Sequence, residues 1–153
     1  MSNQTIQTSI APAGTGYADV NGLHLYYETY GSGAPLVLLH GGMLTIDLNF
    51  VTLIPTLAQA HTVIGVELQG HGRTANIDRP ITYPHLASDV VALLDHLGID
   101  TAAVIGHSMG GGVALDDEER AGDPGELLVG PAREVGVHAA ERHEERVELL
   151  GVR

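Results

Sequence analysis

Residues 102–111 read Ala-Ala-Val-Ile-Gly-His-Ser-Met-Gly-Gly, an apolar run that passes without a spacer into Gly-x-Ser-x-Gly. A buried strand that turns into a helix this abruptly leaves no room for side chains two places before and two places after the turning residue. Gly106 and Gly110 meet that requirement. Ser108 then sits at the tip, its hydroxyl pushed clear of the backbone, above a helix N-terminus that favours developing negative charge. Gly106, His107 and Gly110 therefore read as the frame of a nucleophile elbow and Ser108 as the nucleophile. A glycine-rich turn can match the bare pattern, but here it lies between an apolar run and a helical stretch, as the elbow demands.

The rest of the chain builds a sheet in which such a turn fits. Residues 1–15 are polar, with Pro and Gly, and are expected to form a flexible lead-in. Gly16 to Tyr30 reads as two strands around an Asn21-Gly22 turn. Pro35 to Leu39 and Thr62 to Val66 are short continuous apolar runs, the pattern of strands covered on both faces. Phe50 to Ala60 reads as a short helix with Pro55 near its first turn. Tyr83 to Leu97 places Leu86, Val90, Leu93, Leu94 and Leu97 on one helical face, and Gly98 stops it. Thr101 to Ile105 is the next buried strand. Strands alternating with helices predict an α/β fold with a mostly parallel sheet and flanking helices. The loops at 40–43, 69–73 and 106–111 all follow strand ends, so they should converge on one edge, where α/β sheets build their sites.

The loop His40-Gly41-Gly42 follows the strand Pro35 to Leu39. Next to an elbow, a loop there supplies one N–H for an oxyanion, and the residue after the nucleophile supplies the other. Gly42, ahead of Met43, and Met109 are the expected donors. His71 and Arg73, in Gly70-His71-Gly72-Arg73, read as braces of their loop. Glu67 reads as a local brace and a poor triad acid. No close pair of His ligands occurs in the core, so no metal site is expected. His138 and His143 read as parts of a solvated, charged face.

Composition narrows the partners. The formal charge is −12 over 153 residues, and all seven basic residues are Arg. Phosphate backbones need clustered cations, so a nucleic-acid partner is not expected. The absence of Cys removes disulfides and thiolate catalysis. No run is long enough to span a membrane, and the first residues lack the basic and apolar segments of a secretory signal, so a cytoplasmic protein is expected.

The segments LVLLHGG, GVELQGHGRT and AAVIGHSMGGGVAL, in this order between about Gly16 and Leu115, resemble the N-terminal half of the α/β-hydrolase superfamily, in the branch of small esterases, lactonases, perhydrolase-type enzymes and haloalkane dehalogenases. The middle segment has Glu67 where that family usually has Asp. The dehalogenase and epoxide hydrolase members use a carboxylate nucleophile, so Ser at position 108 implies ester or lactone chemistry through an acyl-enzyme, with no cofactor and a small-molecule ester or lactone as partner.

The family then continues with more strand–helix units, an acid and a His. Here residues 116–153 hold 11 of the 19 acidic residues and open on Asp116-Asp117-Glu118-Glu119. They read as an atypical acidic tail, disordered or frame-disrupted, after a hydrolase segment at 16–115. Leu127 to Val129 reads as a short strand and His138 to Leu150 as an exposed helix. The strand at 102–105 would then be a sheet edge. The expectation is a C-terminally truncated α/β-hydrolase fold, a serine hydrolase by lineage whose triad acid and His are not identifiable. The alternative is a non-catalytic binding module that reuses the half-fold.

Overall fold

The structure, a computed structural model, describes residues 9–121, 136–143 and 146–151, with side chains through Asp116. Strands β1 (Gly14–Val20) and β2 (Leu23–Tyr30) form an antiparallel hairpin about Asn21 and Gly22, whose φ values are 52° and 77°. Positive φ at both central residues gives the turn a twist that matches the strands. The hairpin begins earlier than expected. The Ala13 N–H donates to the Thr29 carbonyl at 2.7 Å, so residues 13–15 of the expected lead-in belong to the sheet.

Strands β3 (Ala34–Leu39), β4 (His61–Val66) and β5 (Thr101–Gly106) form the parallel centre. Both faces of this centre are covered, which explains the unbroken apolar runs. Leu36, Leu38, Val63 and Ile105 face a cluster that includes Ile46, Phe50 and Ile54. Val37, Leu39, Ile64, Val66 and Val104 face the opposite cluster, which includes Leu86, Val90, Leu93 and Val113.

Two short helices, α1 (Ile46–Phe50) and α2 (Ile54–Leu57), replace the single helix expected over Phe50 to Ala60. Pro55 has no N–H, and in a continuous helix its ring would strike the carbonyl four residues back, so it opens a new helix instead. Helix α3 (Tyr83–Leu97) has the expected bounds. The Thr82 hydroxyl caps it by accepting from the His85 N–H at 3.3 Å, and Gly98 ends it at φ 67°. Helix α4 (Met109–Ala121) follows β5 and remains helical through the acidic run at 116–119.

The C-terminal expectations need correction. Strands β6 (Gly136–His143) and β7 (Arg146–Gly151) form an antiparallel hairpin where an exposed helix was expected over His138 to Leu150. β6 pairs antiparallel with β5, so β5 is interior and not an edge. The chain order across the sheet is β1-β2-β4-β3-β5-β6-β7. An unpaired β5 would leave a row of backbone donors and acceptors, and pairing satisfies them. The sequence Arg146-Val147-Glu148-Leu149 also alternates with a period of two, a strand pattern that the dense charge obscures. Leu127 to Val129 lies outside the described residues. Among the described residues, no helix is long and apolar enough to cross a membrane.

Candidate active site

The three central strands end level with one another. Leu39 is opposite Val66 on one side and Gly106 on the other, so the loops after β3, β4 and β5 leave the sheet at one edge. At the β5 exit the chain turns as the Gly-x-Ser-x-Gly pattern requires. Ser108 has φ 51°, a left-handed conformation that costs an L-residue about 1–2 kcal/mol. A Cβ on Gly106 would overlap the Gly110 carbonyl, and one on Gly110 would overlap the Leu39 carbonyl. Three backbone bonds fix the turn. The His107 N–H donates to Leu39 O at 3.0 Å, the Gly110 N–H to His107 O at 2.9 Å, and the Gly112 N–H to Ser108 O at 3.1 Å. Ser108 itself is exposed.

The loop after β3 is pinned at the residue before Gly42. His40 is fully buried, and its Nε2 accepts from the Leu68 N–H at 3.0 Å. An amide N–H can only donate, so the ring proton is on Nδ1, which lies 2.8 Å from the Gly41 carbonyl and donates to it. Burial holds the His40 pKa below the ordinary histidine value, against the opposing pull of the Gly41 bond. The Leu44 N–H also donates to Gly41 O, at 3.2 Å. That carbonyl shares a rigid peptide plane with the Gly42 N–H, so fixing one end fixes the direction of the other. A Cβ on Gly42 would lie 3.9 Å from Met109 Sδ, which sets the loop beside the start of α4. Met43, at φ 63° and 94% exposed, turns away into solvent.

The loop after β4 is held by ions. The buried Glu67 carboxylate receives Arg73 Nη2 at 2.6 Å, Arg73 Nε at 3.0 Å and the Arg73 backbone N–H at 2.5 Å. Arg73 Nη1 donates to Glu28 at 2.7 Å, and the guanidinium carbon lies 4.0 Å from the centre of the Tyr26 ring. Tyr26 and Tyr30 donate their hydroxyls to the two oxygens of Glu28. Burial works to raise the Glu67 pKa, but the Arg73 bonds outweigh it and hold the carboxyl below its usual range. Burial and the Glu28 bond push Tyr26 up to about 12. Glu67 and Arg73 are thus mutual braces. A Cβ on Gly72 (φ 52°) would overlap the Glu67 carboxylate, so the longer acid fits only against glycine. His71 bonds to Gln69 O through Nδ1 at 2.9 Å and sets its ring 5.0 Å from that of His40.

Sequence reasoning missed Asn49. Its Oδ1 accepts from the Gly41 N–H at 2.9 Å and lies 3.0 Å from His107 Nδ1. No motif marks an Asn inside a short helix, and only the tertiary contact reveals it. The role of His40 was also undrawn, although its motif was noted. His138 is paired with Val104 across β5 and β6, and His143 ends β6, so neither is on a helix face. Among the described residues no group of three or more His, Asp or Glu is arranged to hold a metal ion. A recess of about 510 Å³ opens beside Met109, lined by Ile81, Thr82, Tyr83, Pro84 and Leu86.

Comparison with known proteins agrees with this architecture. Residues 34–115, more than half of the chain, match the alpha/beta hydrolase fold family. The chain is 40% identical over 105 residues to the dihydrolipoyllysine-residue acetyltransferase component of the acetoin cleaving system of Cupriavidus necator, covering 68% of this chain and 28% of that protein. It is 43% identical over 101 residues to the soluble epoxide hydrolase of Corynebacterium sp. (strain C12), covering 64% and 34%. The crystal structure of the enol-lactonase from Burkholderia xenovorans LB400 superimposes with a TM-score of 0.64 at 30% identity, covering 68% of this chain and 41% of that one. The chain belongs to the α/β-hydrolase family. It spans 28–34% of the length of these two curated relatives, so it covers part of the fold.

Proposed function

We propose that this chain carries the nucleophile half of a serine hydrolase that cleaves carboxylic esters or lactones. Ser108 attacks the substrate carbonyl carbon, and the Gly42 and Met109 N–H groups receive the resulting oxyanion. The carbon–oxygen bond to the leaving alkoxide then breaks, the alkoxide takes up the proton given up by the Ser108 hydroxyl, and water cleaves the acyl-enzyme, releasing the acid and returning a proton to Ser108. The observation that carries this reading is Ser108 at φ 51° on the strand–helix turn, beside a loop whose Gly41–Gly42 peptide is pinned by His40.

The relatives include an epoxide hydrolase and an enol-lactonase, and the chemistry of the nucleophile chooses between them. A serine opened onto an epoxide becomes an ether, with no carbonyl for water to attack. A serine acylated by an ester or lactone becomes an ester, which water can cleave. Serine at 108 therefore favours the ester or lactone substrate.

The attacking hydroxyl needs a base. His40 has both ring nitrogens bonded, to Leu68 and Gly41, and His71 and His107 are held through Nδ1 by the neutral oxygens of Gln69 and Asn49, with no carboxylate bonded to either among the described residues. We therefore place the activating acid and His outside the residues whose side chains are described. That same observation supports a second reading, a non-catalytic module that keeps the half-fold for binding. A fluorophosphonate probe separates the two. Labelling that is lost in Ser108→Ala supports the serine hydrolase, and a folded protein with no Ser108-dependent labelling rejects it. Hydrolysis of a lactone and short-chain ester panel, with no turnover of a styrene-type epoxide, tests the substrate class.

A further inference from the structure

Asn49 is on α1, at some distance in sequence from both segments it touches. Its side chain meets Gly41 at 2.9 Å and His107 at 3.0 Å. The Gly41 N–H can only donate, so the amide is oriented with Oδ1 towards it, and the same oxygen faces His107 Nδ1. That nitrogen must then carry a proton. A Cβ on Gly41 would lie 2.8 Å from His107 Nδ1, so the loop backbone and the imidazole are packed together with Asn49 as their joint acceptor. Gly41 immediately precedes Gly42, and His107 stands two residues before Met109.

We propose that Asn49 is a positioning residue that sets the separation of the Gly42 and Met109 N–H groups by clasping the two segments that carry them on one carbonyl oxygen. The inference rests on the serine-hydrolase reading above. Oxyanion donors act only when preorganised about the developing charge, and supporting contacts of this kind hold such groups within about 0.5 Å. The loop has its own anchor in His40, and the turn has its own backbone bonds. The His107 N–H to Leu39 O bond ties the turn to the end of β3, two residues before Gly41, and Asn49 extends that tie to the Gly41 amide itself, next to Gly42. Its loss leaves each segment folded and β3 still paired with β5, but removes the link between the Gly41 amide and the His107 ring.

The test is saturable fluorophosphonate labelling, which separates probe binding, the rate constant of phosphonylation and the fraction of protein that reacts. Asn49→Leu and Asn49→Ala are expected to lower the rate constant by about 10- to 100-fold, less than the loss of a whole donor. The reactive fraction stays near that of the parent. Asn49→Asp, which keeps an acceptor oxygen in place, is expected to recover most of the rate lost in Asn49→Leu. A purely structural role would lower the reactive fraction and leave the rate constant of the folded protein unchanged, and that result overturns the proposal. Nitrogen NMR of the parent protein gives a second readout that needs no variant. His107 is expected in its Nδ1–H form, and finding the proton on Nε2 alone also overturns the proposal. If the parent is labelled no faster than Ser108→Ala, the serine-hydrolase reading itself falls, an outcome distinct from equal labelling of the parent and Asn49→Leu.

Discussion

The Nε2 atom of His40 accepts a hydrogen bond from the backbone N–H of Leu68 at 3.0 Å. One buried imidazole thereby joins the loop after β3 to the loop after β4, and it can do so only while neutral. Protonating Nε2 sets a donor against a donor. Burial depresses the folded pKa, so between the ordinary value of 6.5 and that lower value the unfolded chain binds more protons than the folded one. The stability from neutral His40 is therefore fully present above pH 6.5 and is lost as the pH falls below it. Urea midpoints measured from pH 7.5 down to 5.5 are expected to fall in the parent and to fall less steeply in His40→Gln. Equal slopes would show that His40 is not the group responsible.

The Glu67–Arg73–Glu28 cluster makes a separate prediction. Removing the cation in Arg73→Met strands two carboxylates that are 1% and 4% exposed. Breaking a buried pair costs about 3–5 kcal/mol, and the 37% exposure of the Arg73 side chain lowers the expected loss to about 2 kcal/mol. Arg73→Lys should recover little, because an ammonium cannot meet both carboxylates with the same fork. Chemical denaturation of the two variants checks this. Since Arg73 holds the folded Glu67 pKa low, the Glu67 contribution is present above the carboxylate range and is lost as the pH falls through it.

Ser108 is in a strained backbone conformation, and that strain is independent of its hydroxyl. Ser108→Gly is expected to stabilise the protein by about 1 kcal/mol while removing all labelling, whereas Ser108→Ala removes labelling and keeps the strain. A thermal melt in which the glycine variant is no more stable than the alanine variant would contradict this account of the turn.

The glycines of the motif are not equivalent. Gly106→Ala and Gly110→Ala each drive a methyl group into a backbone carbonyl, and both are expected to abolish stable folding or cost more than about 3 kcal/mol. At Gly111 the nearest atom to an added Cβ is Gly106 O at 3.5 Å, an ordinary contact. Gly111→Ala is then expected to be neutral, or to stabilise α4 by up to about 1 kcal/mol. Melting temperatures of the three variants decide the matter.

Much of this protein was legible in its sequence because the signals were local. The apolar runs at Pro35 to Leu39, Thr62 to Val66 and Thr101 to Ile105 reported strands covered on both faces. Asn21-Gly22 reported a hairpin, Gly98 marked the end of a helix, and Gly106 with Gly110 reported a turn that tolerates no side chain. Each depends on backbone conformation within a few residues. Pro55 is also a local signal, and it opens α2 rather than continuing one helix over Phe50 to Ala60.

The remainder depended on what meets what across the fold. The hairpin of β6 and β7 satisfies the open edge of β5, a demand that arises in the sheet and not in the charged segment that answers it. Asn49 bears no mark of its role, since Gly41 and His107 reach it only when α1 packs over the ends of β3 and β5. Sequence fixed the conformations around Ser108, because sterics act between near neighbours. Tertiary structure decided which distant groups brace them, because a hydrogen bond depends on separation in space and is indifferent to separation along the chain.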